Sequence, residues 1–203
     1  MIKPKGRSTW FTVYVDADHA HDLVTRWSVT GIVALINNTP VRWISKRQKT
    51  VKSSTYSSEL VAARIATELV MELWYTLRMI GVLVDGPAAL LGDNMSVVIN
   101  TTVPSSMLKK KHCAIGYHQV QEAIAGGIMT FVHVKSTDNI ADILTKPLAN
   151  ENFHNLVKPI LFRAPLHVQR EQEKDKKAIG EGEKEASMEK TESKIVSILE
   201  DFV

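Results

Sequence analysis

The chain has 203 residues, and 44% of them are hydrophobic, so it can bury a core and is not a wholly disordered protein. Its single cysteine, Cys113, excludes an intramolecular disulfide framework and a zinc site built from several cysteines. Residues 1–169 carry a net charge of +6 and residues 170–203 one of −3. The basic part fits a polyanionic partner such as nucleic acid, although an ordinary soluble surface would give the same balance.

Nothing in the sequence indicates contact with a membrane. No stretch approaches about eighteen consecutive apolar residues, the length that a membrane-spanning helix needs. The first residues also lack the apolar stretch of a secretory signal. We therefore expect an intracellular protein in a reducing compartment, and the sequence does not distinguish the cytoplasm from the nucleus.

Alternating apolar and polar residues predict three successive strands, at 10–16, 29–36 and 40–45. The pair Asn37-Asn38 between the last two is a tight-turn signal, so the three strands are predicted to form an antiparallel meander. Gly31 lies inside the second strand, where glycine is typical of a bulge or of a close approach by another backbone.

A long helix is predicted at 55–80. Serine and threonine at 53–55 can cap its first turn, and Gly81 is a suitable stop. Glu59 lies in the first turns, and its neighbours one turn further along are alanines. Because an alanine face lets a helix lie close to a sheet, we expect Glu59 to point toward the sheet and away from bulk water.

The rest of the chain alternates short strands and helices. The predicted elements are a strand at 88–93, helices at 94–101 and 113–125, a strand at 128–134 and a short helix at 137–146. This order predicts an α/β domain. The strands ending in Asp16 and Asp93 would bring their carboxylates together if they lie side by side and parallel, at the sheet edge where α/β folds tend to bind ligands.

The composition changes near the end of the chain. From about Arg170 to Lys194 the sequence is rich in Glu, Lys, Gln and Ser and poor in apolar residues. We therefore predict one domain at 10–165, an N-terminal extension at 1–9, and a charged, disordered tail at 166–203.

Four carboxylates lie at strand ends or on helix faces beside apolar residues: Asp16, Glu59, Asp93 and Asp142. Oxygen ligands without histidine or cysteine favour Mg²⁺ or Mn²⁺. Two such ions can activate water and stabilise the leaving oxygen of a phosphodiester. Scattered acids are common and most of them are simply solvated, so the spacing alone leaves the structural interpretation open.

Seven motifs resemble the ribonuclease H domain of copia-type retrotransposon polyproteins. They are YVDADHAHD, TRWSVTG, PVRWISKRQKTV, SSELVAA, LLGDNMSVV, LKKKH and ADILTKPL, in the order that the family has them. The resemblance implies a ribonuclease-H-like fold, with a five-stranded mixed sheet of three antiparallel and two parallel strands flanked by helices. It implies endonucleolytic cleavage of the RNA strand of RNA–DNA hybrids, using two Mg²⁺ ions, with Mn²⁺ as the alternative. The resemblance also implies a further partner, a reverse transcriptase domain outside this sequence.

The resemblance also implies the roles of the four acids. Asp16 would bridge both ions, and Glu59 would hold one of them near the substrate 2′-hydroxyl. Asp93 would be the third ligand, and Asp142 would complete the other ion site. Asp18 is the rival of Asp16, which is preferred because it directly ends the hydrophobic alternation.

One departure from the family pattern bears on substrate binding: Trp27 stands where the family usually has a second arginine, which would cost a phosphate contact. No histidine of the kind found in the flexible loop of cellular ribonucleases H precedes Asp142, as is common in copia-type domains, and His133 is interpreted as structural. The alternative function is an inactive ribonuclease-H-like module, a retrotransposon remnant that binds nucleic acid or protein without cutting.

Basic residues beside the predicted site elements are candidates for contacts with the substrate, since phosphate neutralisation supplies most of the affinity for nucleic acid. The candidates are Lys46, Arg47, Lys49, Asn94, Lys109, Lys110, Lys111 and His112. Solvated basic loops are the alternative for the cations, and an N-cap role is the alternative for Asn94. Trp10 and Trp43 are predicted to belong to the core and not to a base-stacking surface.

Overall fold

The computed structural model describes residues 9–106 and 113–161. The predicted charged tail, almost all of the N-terminal extension and the candidates Lys109, Lys110, Lys111 and His112 lie outside these residues. The strands are β1 (Phe11–Asp18), β2 (Val29–Ile36), β3 (Thr39–Arg47), β4 (Ala88–Gly92) and β5 (Met129–His133). The helices are α1 (Thr55–Met79), α2 (Met95–Thr102), α3 (Ala114–Ala125) and α4 (Asn150–Val157), with two 3₁₀ helices, Ser136–Asp138 and Ile140–Leu144.

The strands form one mixed sheet in the order β3-β2-β1-β4-β5. β1 pairs antiparallel with β2, and β2 pairs antiparallel with β3. β4 lies parallel to β1 on its other side, and β5 lies parallel to β4. The predicted α/β class, the antiparallel meander and the five-stranded mixed sheet are therefore confirmed.

Each face of the sheet has its own apolar layer. On one face, the main core joins β1 to α1 and α3 through side chains such as Val13, Leu60 and Val120. On the other face, Val33 and Leu35 of β2 pack with Ile140 of the second 3₁₀ helix. The second layer fixes the segment 136–146 against the sheet, on the face opposite α1.

Local chemistry explains the boundaries that the sequence predicted. Asn37 and Asn38 both have positive φ, 49° and 63°, which suits the two-residue turn of a hairpin. The Ser54 side chain caps α1 by accepting from the backbone N–H of Ser57. Gly81, with φ of 81°, follows the helix end, where a left-handed residue stops helix propagation.

Three predicted elements differ in the structure. The strand predicted at 40–45 continues two residues further, to Arg47. β1 continues two residues past Asp16, which therefore lies inside the strand, because the pairing with β2 extends to Asp18. The helix predicted at 137–146 is two short 3₁₀ helices. Asn139 separates them: its side-chain amide donates to the Val15 carbonyl of β1 at 3.0 Å and its oxygen accepts from the N–H of Ala141. This long-range bond holds the backbone in an extended conformation between the two turns.

The prediction that Trp10 and Trp43 belong to the core is wrong. Trp10 is 52% exposed and Trp43 is 66% exposed. Trp43 lies on β3, an edge strand of the sheet. An alternating pattern does not ensure that other elements cover both faces of an edge strand. Over the described part of the chain, no helix is both long enough and apolar enough to cross a membrane.

Candidate active site

The sheet brings Asp16 and Asp93 to adjacent positions. Val15 of β1 pairs with Gly92 of β4 in the parallel ladder, and each carboxylate belongs to the next residue along its strand. Glu59 approaches from the second turn of α1. Each of the three residues offers one carboxylate oxygen, and these oxygens lie within 4.8 Å of one another. The structure therefore gathers three of the four predicted acids into one cluster, the acidic triad.

Two members of the acidic triad are buried and Asp93 is half-buried, and this makes their negative charges costly. Glu59 is only 7% exposed and Asp16 only 3%. Burial, followed by the charges of Asp16 and Asp93, raises the pKa of Glu59 to about 9. Burial also raises the pKa of Asp16, against the lowering effect of a hydrogen bond from Thr145. Either a bound proton or a bound cation relieves this repulsion.

Asp142 lies close enough to interact electrostatically with the triad but is not one of its members. Burial and the charge of Asp16 raise its pKa to about 6, against the lowering effect of Lys146. Its Oδ2 accepts from the Lys146 ammonium at 2.8 Å. Its Oδ1 is buried and has no hydrogen-bond partner among the described residues. In the fourth predicted acid, one carboxylate oxygen is therefore paired with Lys146 and the other is available as a ligand.

Hydroxyl groups from the segment 136–146 hold the acids in place. Thr145 donates its hydroxyl hydrogen to Asp16 Oδ2, and Ser136 donates to Asp93 Oδ2 at 2.7 Å. Both hydroxyls therefore restrict the rotation of a carboxylate that the sequence had predicted as a ligand. The sequence analysis missed Thr145 and Ser136, since threonine and serine are too common to signal this role without a fold.

A row of paired residues across three strands contacts the segment 136–146. Ser45 pairs with Gly31, and Gly31 pairs with Asp16, so all three face the same side of the sheet. Ser45 donates to the Leu144 carbonyl at 2.7 Å. A Cβ at Gly31 would lie 2.6 Å from Cγ2 of Thr145 and 2.7 Å from the Ala141 carbonyl oxygen. The predicted close approach at Gly31 is confirmed, and it lets Thr145 reach Asp16.

We expect Gly31→Ala to displace Thr145 and destabilise the domain by about 1–3 kcal/mol, the usual cost of overpacking. Thermal or denaturant unfolding measures the loss, and calorimetric Mn²⁺ titration should show weaker binding. The matched control is Gly116→Ala in α3, where the new Cβ meets only the flexible side chain of Arg64 at 3.2 Å. The free energy of unfolding of that control should rise by up to about 1 kcal/mol, because alanine favours the helix more than glycine does. Equal stability of the two variants would contradict the role given to Gly31.

The basic candidates of β3 and the following loop lie beside the start of α1. Lys46, Arg47 and Lys49 are exposed, and they help to line a groove of about 560 Å³. Gln48 is buried between them and donates to the carbonyl of Ser58, next to Glu59, at 2.9 Å. Gln48 is only 5% exposed, so it does not offer its side chain to a substrate. Instead, Gln48 anchors the basic segment to the helix that carries Glu59.

The remaining candidates have clear positions. Asn94 caps α2, because its Oδ1 accepts from the backbone N–H of Val97 at 3.2 Å. Asp18, the rival of Asp16, is paired with His21 at 2.6 Å and is not part of the acidic triad. His133 lies 3.1 Å from the backbone carbonyl of Asp93 through Nε2, which supports its structural interpretation.

Trp27 also has a visible partner. The guanidinium of Arg47 lies over the Trp27 ring, 4.1 Å from its centroid, a cation–π arrangement. The tryptophan that replaces an arginine of the family pattern therefore positions the neighbouring arginine. A basic group is thus present beside Trp27, although it comes from β3 instead of the loop before β2.

Known proteins resemble the chain in both sequence and fold. It is 31% identical over 157 residues to the retrovirus-related Pol polyprotein from transposon RE2 of Arabidopsis thaliana, which covers 77% of this chain and 11% of that protein. It is 28% identical over 140 residues to the corresponding polyprotein from transposon TNT 1-94 of Nicotiana tabacum, covering 69% of this chain and 10% of that protein. No family model matches the chain.

Among solved structures, the N-terminal ribonuclease H domain of rv2228c from Mycobacterium tuberculosis matches with a TM-score of 0.53 at 15% identity, over 74% of this chain and 98% of that chain. The five-stranded mixed sheet and its flanking helices thus define a ribonuclease-H-like domain. The chain belongs to the ribonuclease H domains of copia-type retrotransposon Pol polyproteins. It spans about a tenth of the length of the curated relatives that it matches.

Proposed function

We propose that this chain is an endonuclease that hydrolyses the RNA strand of RNA–DNA hybrids by a two-metal-ion mechanism. The observation that carries the proposal is the acidic triad, in which β1, α1 and the end of β4 converge through Asp16, Glu59 and Asp93. Two buried carboxylates and a half-buried one at this separation repel one another, so the arrangement makes physical sense as a site for cations.

The donor set fits hard divalent ions. All candidate ligand atoms are carboxylate oxygens, which Mg²⁺ and Mn²⁺ prefer. The buried Asp142 Oδ1, which lacks a partner among the described residues, is a further available ligand atom. When bound, the ions would supply positive charge that activates water and stabilises the charge of the reacting phosphate. Asp16, Glu59, Asp93 and Asp142 would hold them.

The other residues would bind and orient the nucleic acid. Lys46, Arg47 and Lys49 would neutralise phosphates beside α1, and this contribution does not depend on base sequence. Glu59 directly follows Ser58, the residue of α1 whose carbonyl accepts a hydrogen bond from Gln48. Glu59 would lie near the 2′-hydroxyl, the group that distinguishes RNA from DNA. Thr145 and Ser136 would keep the acids oriented through their hydrogen bonds.

A cleavage assay tests the proposal directly. A hybrid labelled on both strands is incubated with the chain and Mg²⁺, after hybrid binding has been demonstrated separately. We expect the RNA strand to be cut internally while the DNA strand stays intact, and chelation of the metal should stop the reaction. Binding of the hybrid without cleavage in Mg²⁺ or Mn²⁺ would contradict the nuclease proposal.

An inactive binding module is the second candidate. One observation favours it: Asp142 is separate from the acidic triad and is engaged by Lys146. Such a module would keep the basic groove and bind hybrids without hydrolysing them. The same assay distinguishes the two functions, because only the nuclease produces RNA fragments.

The basic groove predicts a salt-dependent affinity. Replacing Lys46 and Lys49 together by glutamine should weaken hybrid binding and lower the slope of log affinity against log salt by roughly one for each lost phosphate contact. Fluorescence anisotropy over a range of salt concentrations measures this slope. Lys158→Gln, at an exposed position after α4, is the control. An unchanged slope in the double variant would remove these lysines from the interface.

A further inference from the structure

Two consecutive residues direct hydrogen-bond donors into the acidic site. Thr145 donates to Asp16 Oδ2, and the Lys146 ammonium lies 2.8 Å from Asp142 Oδ2. The two donors differ in charge. A hydroxyl is neutral and leaves the negative charge of its carboxylate in place, whereas an ammonium supplies a full positive charge at hydrogen-bond distance.

The charge of Lys146 divides the site into two halves. Within residues 9–106 and 113–161, no basic side chain forms an ion pair with Asp16, Glu59 or Asp93. Asp142, by contrast, is already paired with Lys146. The charge of Lys146 also reaches Asp16, Glu59 and Asp93. It opposes a divalent cation most strongly beside Asp142, where the ammonium lies at hydrogen-bond distance. The two halves therefore differ in their readiness to accept an ion.

Lys146 is held less firmly than the acid it pairs with. Its side chain is 35% exposed, whereas that of Asp142 is only 6% exposed. The long, flexible lysine side chain can leave Asp142 without disturbing the buried residues 139–142. A phosphate group of a bound nucleic acid would attract the ammonium, and Asp142 would then be free to act as a ligand.

We propose that Lys146 occupies the place of one of the two divalent ions until nucleic acid binds. In the nucleic-acid-free chain, Asp16, Glu59 and Asp93 take up one ion, and Lys146 keeps Asp142 closed to a second. This inference rests on the proposed function. Lys146 acts through Asp142, so it is a positioning residue that controls the order in which the site is filled.

Counting bound ions tests the inference without any reaction. Calorimetric titration with Mn²⁺, supported by electron paramagnetic resonance, measures the number of ions per chain in the absence of nucleic acid. We expect one ion in the wild type and two in Lys146→Met, because the methionine has no charge to keep the second ion out. Lys146→Arg should return the count to one, and the control Lys158→Met should not change it.

The possible outcomes separate this inference from the proposed function. Two ions in the wild type would overturn the inference, while cleavage of the hybrid would still support the nuclease. A count of one in Lys146→Met would also overturn it, and no bound ion in the wild type would overturn both proposals. Circular dichroism checks the folding of each variant, and Lys146→Gln, which is also uncharged, replaces Lys146→Met if the methionine variant does not fold.

Discussion

Asp93→Asn should abolish cleavage of the hybrid while the domain stays folded. Asparagine has the size of aspartate, and its amide oxygen can still accept the hydrogen bond that Ser136 now donates to Asp93. It lacks the negative charge that holds a divalent ion in the acidic triad. Losing several kcal/mol of transition-state stabilisation corresponds to a decrease in rate of about a thousandfold.

The experiment compares cleavage rates, thermal unfolding and hybrid binding in the same preparation. Asp85→Asn is the matched control, because Asp85 is exposed and precedes β4, whereas Asp93 follows it. The control should cut at the wild-type rate. Full activity in Asp93→Asn would show that the acidic triad is not the catalytic centre.

Glu59→Gln should stabilise the metal-free domain at neutral pH and abolish cleavage. Burial and the charges of Asp16 and Asp93 raise the pKa of Glu59 to about 9 in the folded protein, whereas an unfolded glutamate titrates near 4.3. Glu59 is therefore protonated in the folded domain at neutral pH, and binding this proton costs free energy that the folding of a glutamine side chain does not require. At neutral pH we expect a gain on the order of 2 kcal/mol in the free energy of unfolding.

The same pKa difference fixes the sign of the pH dependence. A carboxyl group whose pKa is raised by folding binds its proton more tightly in the native state, so its contribution to stability is complete at low pH. That contribution decreases as the pH rises from about 4.5 toward about 9, because only the unfolded state releases the proton readily. Asp142, whose pKa is raised to about 6, adds to the decrease in the same direction.

Thermal unfolding at about pH 5 and about pH 8, with chelator and with Mg²⁺, measures this effect. In chelator the wild type should be less stable at the higher pH, and Mg²⁺ should restore much of the loss by neutralising the triad. The stability of Glu59→Gln should change less than that of the wild type, both with pH and with Mg²⁺. Glu122→Gln, at an exposed position on α3, is the control and should behave as the wild type does. A metal-free domain that becomes more stable as the pH rises would contradict the electrostatic account.

Local patterns predicted most of the fold because they determine local structure. Alternation identified β1 and β3, short apolar runs identified β2, β4 and β5, and the Asn37-Asn38 turn fixed the antiparallel pairing of β2 with β3. The expectation about Glu59 came from the alanines of α1, and Glu59 is indeed buried at the sheet. The meeting of Asp16 and Asp93 was predicted only on the condition that β1 and β4 are parallel neighbours. No local signal specifies which distant strands become neighbours.

The arrangement around Asp142 was not predictable in the same way. The segment that carries it folds as two 3₁₀ helices because Asn139 bonds to β1 across 124 positions of sequence, and no periodicity reveals such a bond. The ion pair with Lys146 follows from a spacing of four residues that is visible in the sequence, yet helical spacing alone does not predict a pair in a 3₁₀ segment. Thr145 became recognisable only through its contact with Asp16.

The close contact at Gly31 has a consequence for how a retrotransposon copy decays. A glycine codon changes to alanine, valine, serine or aspartate by one nucleotide, and each of these residues places a Cβ where Thr145 and Ala141 leave no room. A genomic copy can therefore lose the packing that orients Asp16 while all four acidic codons are still intact. Surveys that judge such copies by their acids alone would count it as competent, and the codon at position 31 would correct that judgement.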